Sequence, residues 1–280
     1  MEILLDYKKI KTLLEEAKIE DAGYEAELLI LHFYPELDRA ALMTEREKNF
    51  YSEELYAAVK KRCERYPLQY IIGEWYFCNE TYRVTPDCLI PRPETELLVL
   101  RAAELLPNGA RFLDLCTGSG CIASSTLAMR RDCSAVAVDV FDPTLALAKE
   151  NAEANGVGSR VEFVKCDVLA SDAAQKICRG ELFDAILSNP PYIKSEDMKA
   201  LDPELLHEPE AALDGGEDGL VFYRKIIENF ASSLKPEGFM LFEAGYDTSG
   251  DVAQIARAAG FYAEVIKDLS GLDRMILIRK

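Results

Sequence analysis

Residues 111–139 read Arg-Phe-Leu-Asp-Leu-Cys-Thr-Gly-Ser-Gly, then Cys-Ile-Ala-Ser-Ser-Thr-Leu-Ala-Met-Arg-Arg-Asp-Cys, then Ser-Ala-Val-Ala-Val-Asp. The pattern predicts a short strand over 111–115, a glycine turn, a helix over 121–131 and a buried strand over 134–139. Parallel neighbours need a helical crossover, so strand–helix–strand implies a parallel sheet. The alternation continues. Asp142-Pro143 reads as an N-cap and first helical residue, opening a helix that stops near Asn155-Gly156. Strands are expected over 161–164 and 183–187, a helix over about 220–234, and last strands over 239–243, 262–266 and 275–278. A polar segment with Gly215, Gly216 and Gly219 interrupts the series. The expected fold is α/β, a largely parallel, doubly wound sheet.

Working toward the N-terminus, Pro93 suits a first helical position and Glu94 to Leu100 continue that helix. Leu68 to Val84 is aromatic and β-branched around Gly73 and Asn79, which predicts a linking β-hairpin. Residues 1–66 read as helices, with Ile10, Leu13, Leu14 and Ala17 at helical spacing and a capped start at Ser52. The expected domains are therefore 1–66 (helical), 67–92 (hairpin linker) and 93–280 (sheet). Lys60, Lys61, Arg62 and Arg65 form a basic cluster, either a partner contact or a solvated helix face.

The chain has 280 residues, which fits about two domains. Its net charge of −17 argues against non-specific nucleic-acid binding, which depends on Lys and Arg neutralising phosphates. No apolar run is long enough to span a bilayer, and the charged start lacks a signal-peptide core. A cytoplasmic protein without a membrane partner, working as a monomer, is expected. Eight cysteines include no Cys-x-x-Cys pair, and only His32 and His207 accompany them, so no metal site is expected.

The glycine turn, Cys116-Thr117-Gly118-Ser119-Gly120, follows the first strand of the sheet, where nucleotides bind at strand carboxyl ends. Gly118-x-Gly120-x-x-Ala123 also fits a dinucleotide fingerprint, so the turn alone leaves an NAD enzyme open. Asp139, nineteen residues after Gly120, can accept hydrogen bonds from ribose hydroxyls. Two acids favour S-adenosylmethionine. Asp114 can orient the turn or meet a cationic amine, and Asp167 can accept from an adenine amino group. Cys116 has no neighbouring His or Lys in sequence to activate it as a nucleophile.

Asn189-Pro190-Pro191-Tyr192 follows the 183–187 strand. Two prolines fix φ and remove two donors, leaving carbonyls and the Asn189 side chain to face a ligand. A planar amino or amide nitrogen presents two N–H groups, which the Asn189 oxygen and the Pro190 carbonyl can accept. Tyr192 can stack on the planar face. Methyl transfer to such a nitrogen needs in-line placement more than a strong base.

With these residues in place, the sequence resembles the protein-(glutamine-N5) methyltransferases of class 1 peptide chain release factors, the HemK/PrmC family. The resemblance runs from about Pro67 to Lys280. It is carried by Pro67-Leu68-x-Tyr70-Ile71-x-Gly73, Leu89-Ile90-Pro91-Arg92-Pro93-Glu94-Thr95-Glu96, the Asp114–Gly120 turn and Asn189-Pro190-Pro191-Tyr192. Glu208-Pro209, Ala212-Leu213, Gly215-Gly216 and Asp268-Leu269-x-Gly271-x-Asp273-Arg274 complete it. It implies a seven-stranded Rossmann-like class I methyltransferase domain after a helical bundle that helps grip the release factor. It implies S-adenosylmethionine contacts at Cys116 to Gly120, Asp139, Asp167, Val168 and Asn189. The substrate, the glutamine of a Gly-Gly-Gln loop, would be held by Asn189, Pro190, Pro191 and Tyr192. Cys116 departs from the glycine usual at its place in the turn. Adenine-N6 and some guanine methyltransferases share the Asn-Pro-Pro-Tyr type, so a nucleic-acid methyltransferase is the alternative; the net charge of −17 weighs against it.

Overall fold

The computed structural model describes residues 4–280, which divide into two compact units. One comprises residues 4–74 with Asp202–His207, the other Trp75–Leu201 with Glu208–Lys280.

The first unit is helical: α1 (Tyr7–Glu16), α2 (Ala22–Phe33), α3 (Arg39–Thr44), α4 (Glu53–Cys63) and α5 (Leu68–Ile72). The side chains of Asp6, Asp38 and Ser52 accept from the third residue beyond them and so cap α1, α3 and α4. Leu5, Ile10, Leu14, Leu29, Phe50 and Leu55 fill the core. The basic cluster splits. Arg62 is buried against Glu25 and Glu204, and Arg65 also pairs with Glu204, whereas Lys60 and Lys61 are exposed. Residues 68–72 are helical, not extended as expected. Gly73 is not a hairpin turn but the left-handed C-cap of α5 (φ 82°), its N–H donating to the Gln69 carbonyl, and Ile71 and Ile72 pack on the helical core. Packing has overridden β-propensity there.

From Trp75 the second unit takes in the hairpin of β1 (Glu74–Phe77) and β2 (Glu80–Arg83), turned at Cys78-Asn79, and continues with α6 (Pro93–Leu105). The alternating series follows: β3 (Arg111–Leu115), α7 (Cys121–Met129), β4 (Ser134–Asp139), α8 (Asp142–Ala154), β5 (Val161–Lys165), α9 (Ala173–Cys178) and β6 (Phe183–Ser188). Then come α10 (Val221–Phe230), β7 (Leu234–Glu243), α11 (Ser249–Ala258), β8 (Tyr262–Lys267) and β9 (Asp273–Arg279). The short α9 and the small-residue α11 were not anticipated; each lacks a long apolar stripe. Asp142 is the first residue of α8 and Phe141 its N-cap.

The seven strands are ordered β5-β4-β3-β6-β7-β9-β8. The first five run parallel, and β9 is antiparallel to both its neighbours. Period-2 alternation sorts the sheet into two faces. Leu113, Leu115, Val136, Val138 and Ile186 pack with residues of α9, α10 and α11. Phe112, Ala135, Ala137, Ala185 and Leu187 pack with α6, α7 and the hairpin. The crossovers diverge between β3 and β6, and that switch point opens a crevice at the strand carboxyl ends.

One buried side chain ties three pieces together beside that crevice. Asn151 on α8 accepts from the Arg83 N–H (2.8 Å) and donates to the carbonyls of Arg83 (3.0 Å) and Ser119 (2.9 Å). Asn151→Ala removes all three bonds and orphans the buried Ser119 carbonyl, and leaving such a group unsatisfied costs about 1–3 kcal/mol. The expected outcome is a lower urea midpoint with unchanged m-value.

Candidate active site

The site is built from two loops on neighbouring strands. Leu115 at the end of β3 stands opposite Ser188 at the end of β6, and the Ser188 hydroxyl donates to the Leu115 carbonyl at 2.6 Å. That register sets the glycine turn beside Asn189. The turn folds toward β4, its Thr117 N–H donating to the Val138 carbonyl at 2.9 Å.

Three turn residues lie in the left-handed region: Cys116 (φ 60°), Gly118 (φ 54°) and Gly120 (φ 78°). At Gly120 a Cβ would stand 3.1 Å from the Ala148 Cβ, so glycine also permits close packing on α8. Cys116 carries a Cβ in this region, which costs roughly 1–2 kcal/mol. Burial pushes its thiol well above the ordinary range, and the Asp139 and Asp114 charges add to that. It is a poor thiolate source.

Asp114 sits fully buried beneath the turn. Its Oδ2 accepts from the Thr117 hydroxyl (2.6 Å) and the Ala123 N–H (3.1 Å), while Oδ1 has no hydrogen-bond partner among the described residues. Burial raises its carboxyl to about 7 against those two hydrogen bonds. Asp139, at the end of β4, accepts from the N–H groups of Gly118 (3.1 Å), Val140 (2.8 Å) and Phe141 (3.2 Å). Burial nevertheless raises its pKa. Asp167 is exposed and accepts from the Leu169 N–H at 2.9 Å.

These groups surround a cavity of about 260 Å³. Of the residues singled out in the sequence, Cys116, Thr117, Gly118, Ser119, Asp139, Asp167, Val168, Asn189 and Pro191 line it. Asp114, Gly120, Pro190 and Tyr192 do not. Asn189 is held from behind. Its Nδ2 donates to the Thr95 hydroxyl at 3.2 Å, which in turn donates to Glu243 Oε2 at 2.6 Å. Among the described residues, no three His, Cys, Asp or Glu side chains are grouped to hold a metal ion, and no helix is long and apolar enough to cross a membrane.

Comparison with known proteins sets this geometry in a family. The profile of the methyltransferase small domain matches residues 94–238, and that of the PrmC N-terminal domain matches residues 7–73. A release factor glutamine methyltransferase of Thermodesulfovibrio yellowstonii is 38% identical over 265 residues, covering 91% of this chain and 92% of that protein. A release factor glutamine methyltransferase of Cereibacter sphaeroides is 40% identical over 271 residues, covering 95% of this chain and 94% of that protein. The chain belongs to the release factor glutamine methyltransferase family. A methyltransferase structure from Pyrococcus furiosus superposes with a TM-score of 0.51 at 21% identity, over 70% of this chain and 86% of that one. The sheet unit thus has the class I methyltransferase fold.

The fold shows why motifs distant in this methyltransferase sequence occur together. Glu208 is buried; one carboxylate oxygen accepts from the Ile90 N–H at 2.9 Å and the other pairs with Arg92. It thereby fastens the loop Asp87 to Arg92, which lines the cavity. No local pattern predicted this, since the partners lie more than a hundred residues apart. The polar glycine segment backs the Asn-Pro-Pro-Tyr loop. Ile193 and Gly215 exchange hydrogen bonds with the facing chain: Ile193 N–H to the Leu213 carbonyl (2.9 Å), Gly215 N–H to the Ile193 carbonyl (2.7 Å). A Cβ on Gly215 would stand 2.7 Å from the Tyr192 Cα, and one on Gly219 (φ 72°) 2.4 Å from the Tyr192 carbonyl oxygen.

Gly219→Ala therefore displaces the Tyr192 backbone as well as straining its own. A misplacement near 1 Å costs about 10² in rate. Methyltransfer by Gly219→Ala is expected to fall by about that factor while cofactor affinity, measured by titration calorimetry, stays near wild type.

Proposed function

We propose that this protein transfers a methyl group from S-adenosylmethionine to the side-chain amide N5 of the glutamine in the Gly-Gly-Gln loop of class 1 release factors. The observation that carries the reading is the juxtaposition of Asn189 with the glycine turn across the β3–β6 switch point. The relatives' names support the release factor substrate, and the methyltransferase domain supports the donor.

The cavity residues fit S-adenosylmethionine. Asp139 and Asp167 supply acceptors for ribose hydroxyls and an adenine amino group, Val168 an apolar surface, and the turn a backbone without side-chain obstruction at Gly118. Asp114, buried beneath the turn and outside the cavity lining, orients the turn through Thr117 and Ala123. When bound, S-adenosylmethionine supplies an electrophilic sulfonium methyl and leaves as S-adenosylhomocysteine. Asn189 Oδ1 and the Pro190 carbonyl accept the two amide N–H groups, and Tyr192 covers the planar face. The amide nitrogen becomes acidic as it gains the methyl, so orientation matters more than a strong base. No metal is required by this chemistry. The helical unit, matched by the PrmC N-terminal domain profile, helps grip the release factor. The net charge of −17 supports a protein rather than a nucleic-acid partner, and a cytoplasmic monomer suits such a substrate.

Two measurements test this. Asp139→Ala removes one or two hydrogen bonds to the ribose, each worth about 1.5–3 kcal/mol. Calorimetry should show S-adenosylmethionine affinity about tenfold weaker or more. Wild-type affinity sinks the ribose role. Mass spectrometry of a wild-type reaction with release factor should show one added methyl on the Gly-Gly-Gln glutamine, and Asn189→Ala should lower its rate by about 10²–10³. Methylated adenine with untouched release factor overturns the assignment.

A further inference from the structure

Asn189 has two ends, and only the oxygen can accept the N–H groups of an amide. The side chain can turn over by 180° with little change of shape, so something must choose the end presented. The hydrogen bonds around Thr95 supply that choice. Thr95, the third residue of α6, is buried, and its hydroxyl has one proton. At 2.6 Å from Glu243 Oε2, that proton goes to the carboxylate, which when ionised accepts only. The hydroxyl oxygen is then left as an acceptor, and what it accepts from Asn189 at 3.2 Å must be the amide N–H. We propose that Thr95 and Glu243 are positioning residues, which lock Asn189 with its nitrogen toward the protein and its oxygen toward the substrate amide. The proposal rests on the glutamine methyltransferase reading and assigns to this pair the polarity of its acceptor site.

The chain of bonds is one-directional only while Glu243 is ionised. A protonated Glu243 can donate to Thr95 Oγ1. The threonine proton is then free to point at Asn189, and the amide can turn over. Its NH₂ would face the substrate NH₂, donor against donor. The surroundings of Glu243 make this switch accessible. The residue is buried at the end of β7, one register position beyond the Ser188–Phe242 pair. Arg274 faces it from β9, Arg92 and Glu94 from the start of α6, Tyr192 from the loop after β6, and Tyr223 from α10, whose hydroxyl donates to the Glu243 main-chain carbonyl at 2.8 Å. Burial raises the carboxyl to about 7, with Glu94 adding; the Thr95 hydrogen bond, Arg274 and Arg92 oppose it. Activity should therefore be lost as pH falls through about 7 and be complete above it.

The test is steady-state methylation of release factor by the full-length enzyme between pH 5.5 and 9, with S-adenosylhomocysteine affinity as a check of folding. Thr95→Val removes the hydroxyl at nearly constant volume and should lower kcat by about 10–100-fold, the scale of a misplaced reacting group. KM for S-adenosylmethionine should stay near wild type. Thr95→Ser keeps the hydroxyl and should restore most of the rate. Glu243→Gln cannot titrate, so its rate should be reduced and lack the wild-type fall near pH 7. Wild-type kcat in Thr95→Val, or an acid limb that persists in Glu243→Gln, overturns the proposal; a persisting limb would point to Asp114, also raised to about 7. If Thr95→Val loses S-adenosylhomocysteine binding altogether, the Glu243→Gln profile decides alone. Failure of the wild-type enzyme to methylate glutamine would overturn the functional reading instead.

Discussion

The structure depends on the register of one parallel strand pair. Leu115 opposite Ser188 brings two chain reversals to the same height on adjacent strands. Because helices leave β3 and β6 on opposite sides of the switch point, no crossover fills the space above them. One reversal is rich in glycine, the other in proline, and the chemistry of each follows. Glycine lets backbone and ligand approach; proline stiffens its loop and withdraws donors, leaving acceptors. A slip of one residue in this pair would turn Asn189 and the turn to different heights and invert which side chains reach each core layer.

The site is stiffened mainly by buried polar side chains bonded to backbone. Asp114 holds the glycine turn from below, Asn151 ties that turn to the hairpin, and Glu208 fastens the loop over the cavity. Each satisfies peptide groups that cannot join the sheet ladder, as buried peptide groups require. Burying a carboxyl has its own cost, visible in the raised Asp114 and Glu243. Acids that bond exposed cations instead, such as Asp218 with Arg224, are shifted down. The acidic balance of the chain is thus not uniform: Asp114, Glu208 and Glu243 are buried structural members, whereas Asp167 is exposed and Asp218 partly so.

Much of this was legible in the chain order. Strand β3 at 111–115 and strand β4 at 134–139 matched the expected bounds, because both are short apolar runs bracketed by a glycine turn or by charge. Asp139 and Asn189 stood out through their place after the glycine turn and in the Asn-Pro-Pro-Tyr motif, and the structure puts both on the cavity wall. Helix α5 was misread as strand because Tyr70-Ile71-Ile72 has β-propensity but packs on other helices. Helices α9 and α11 went unseen because they are short or built from small residues.

The sequence by itself determined the alternation of strand and helix and the two loops at the strand ends. These are properties of neighbours along the chain: hydrophobic period, and the φ freedom of glycine or its loss in proline. Only the tertiary structure decided the partners. Thr95 stands 94 residues from Asn189 and 148 from Glu243. Glu208 stands 118 from Ile90. Nothing local distinguishes these acids and hydroxyls from surface ones. Their meaning arises when folding removes water and leaves each proton with one place to go.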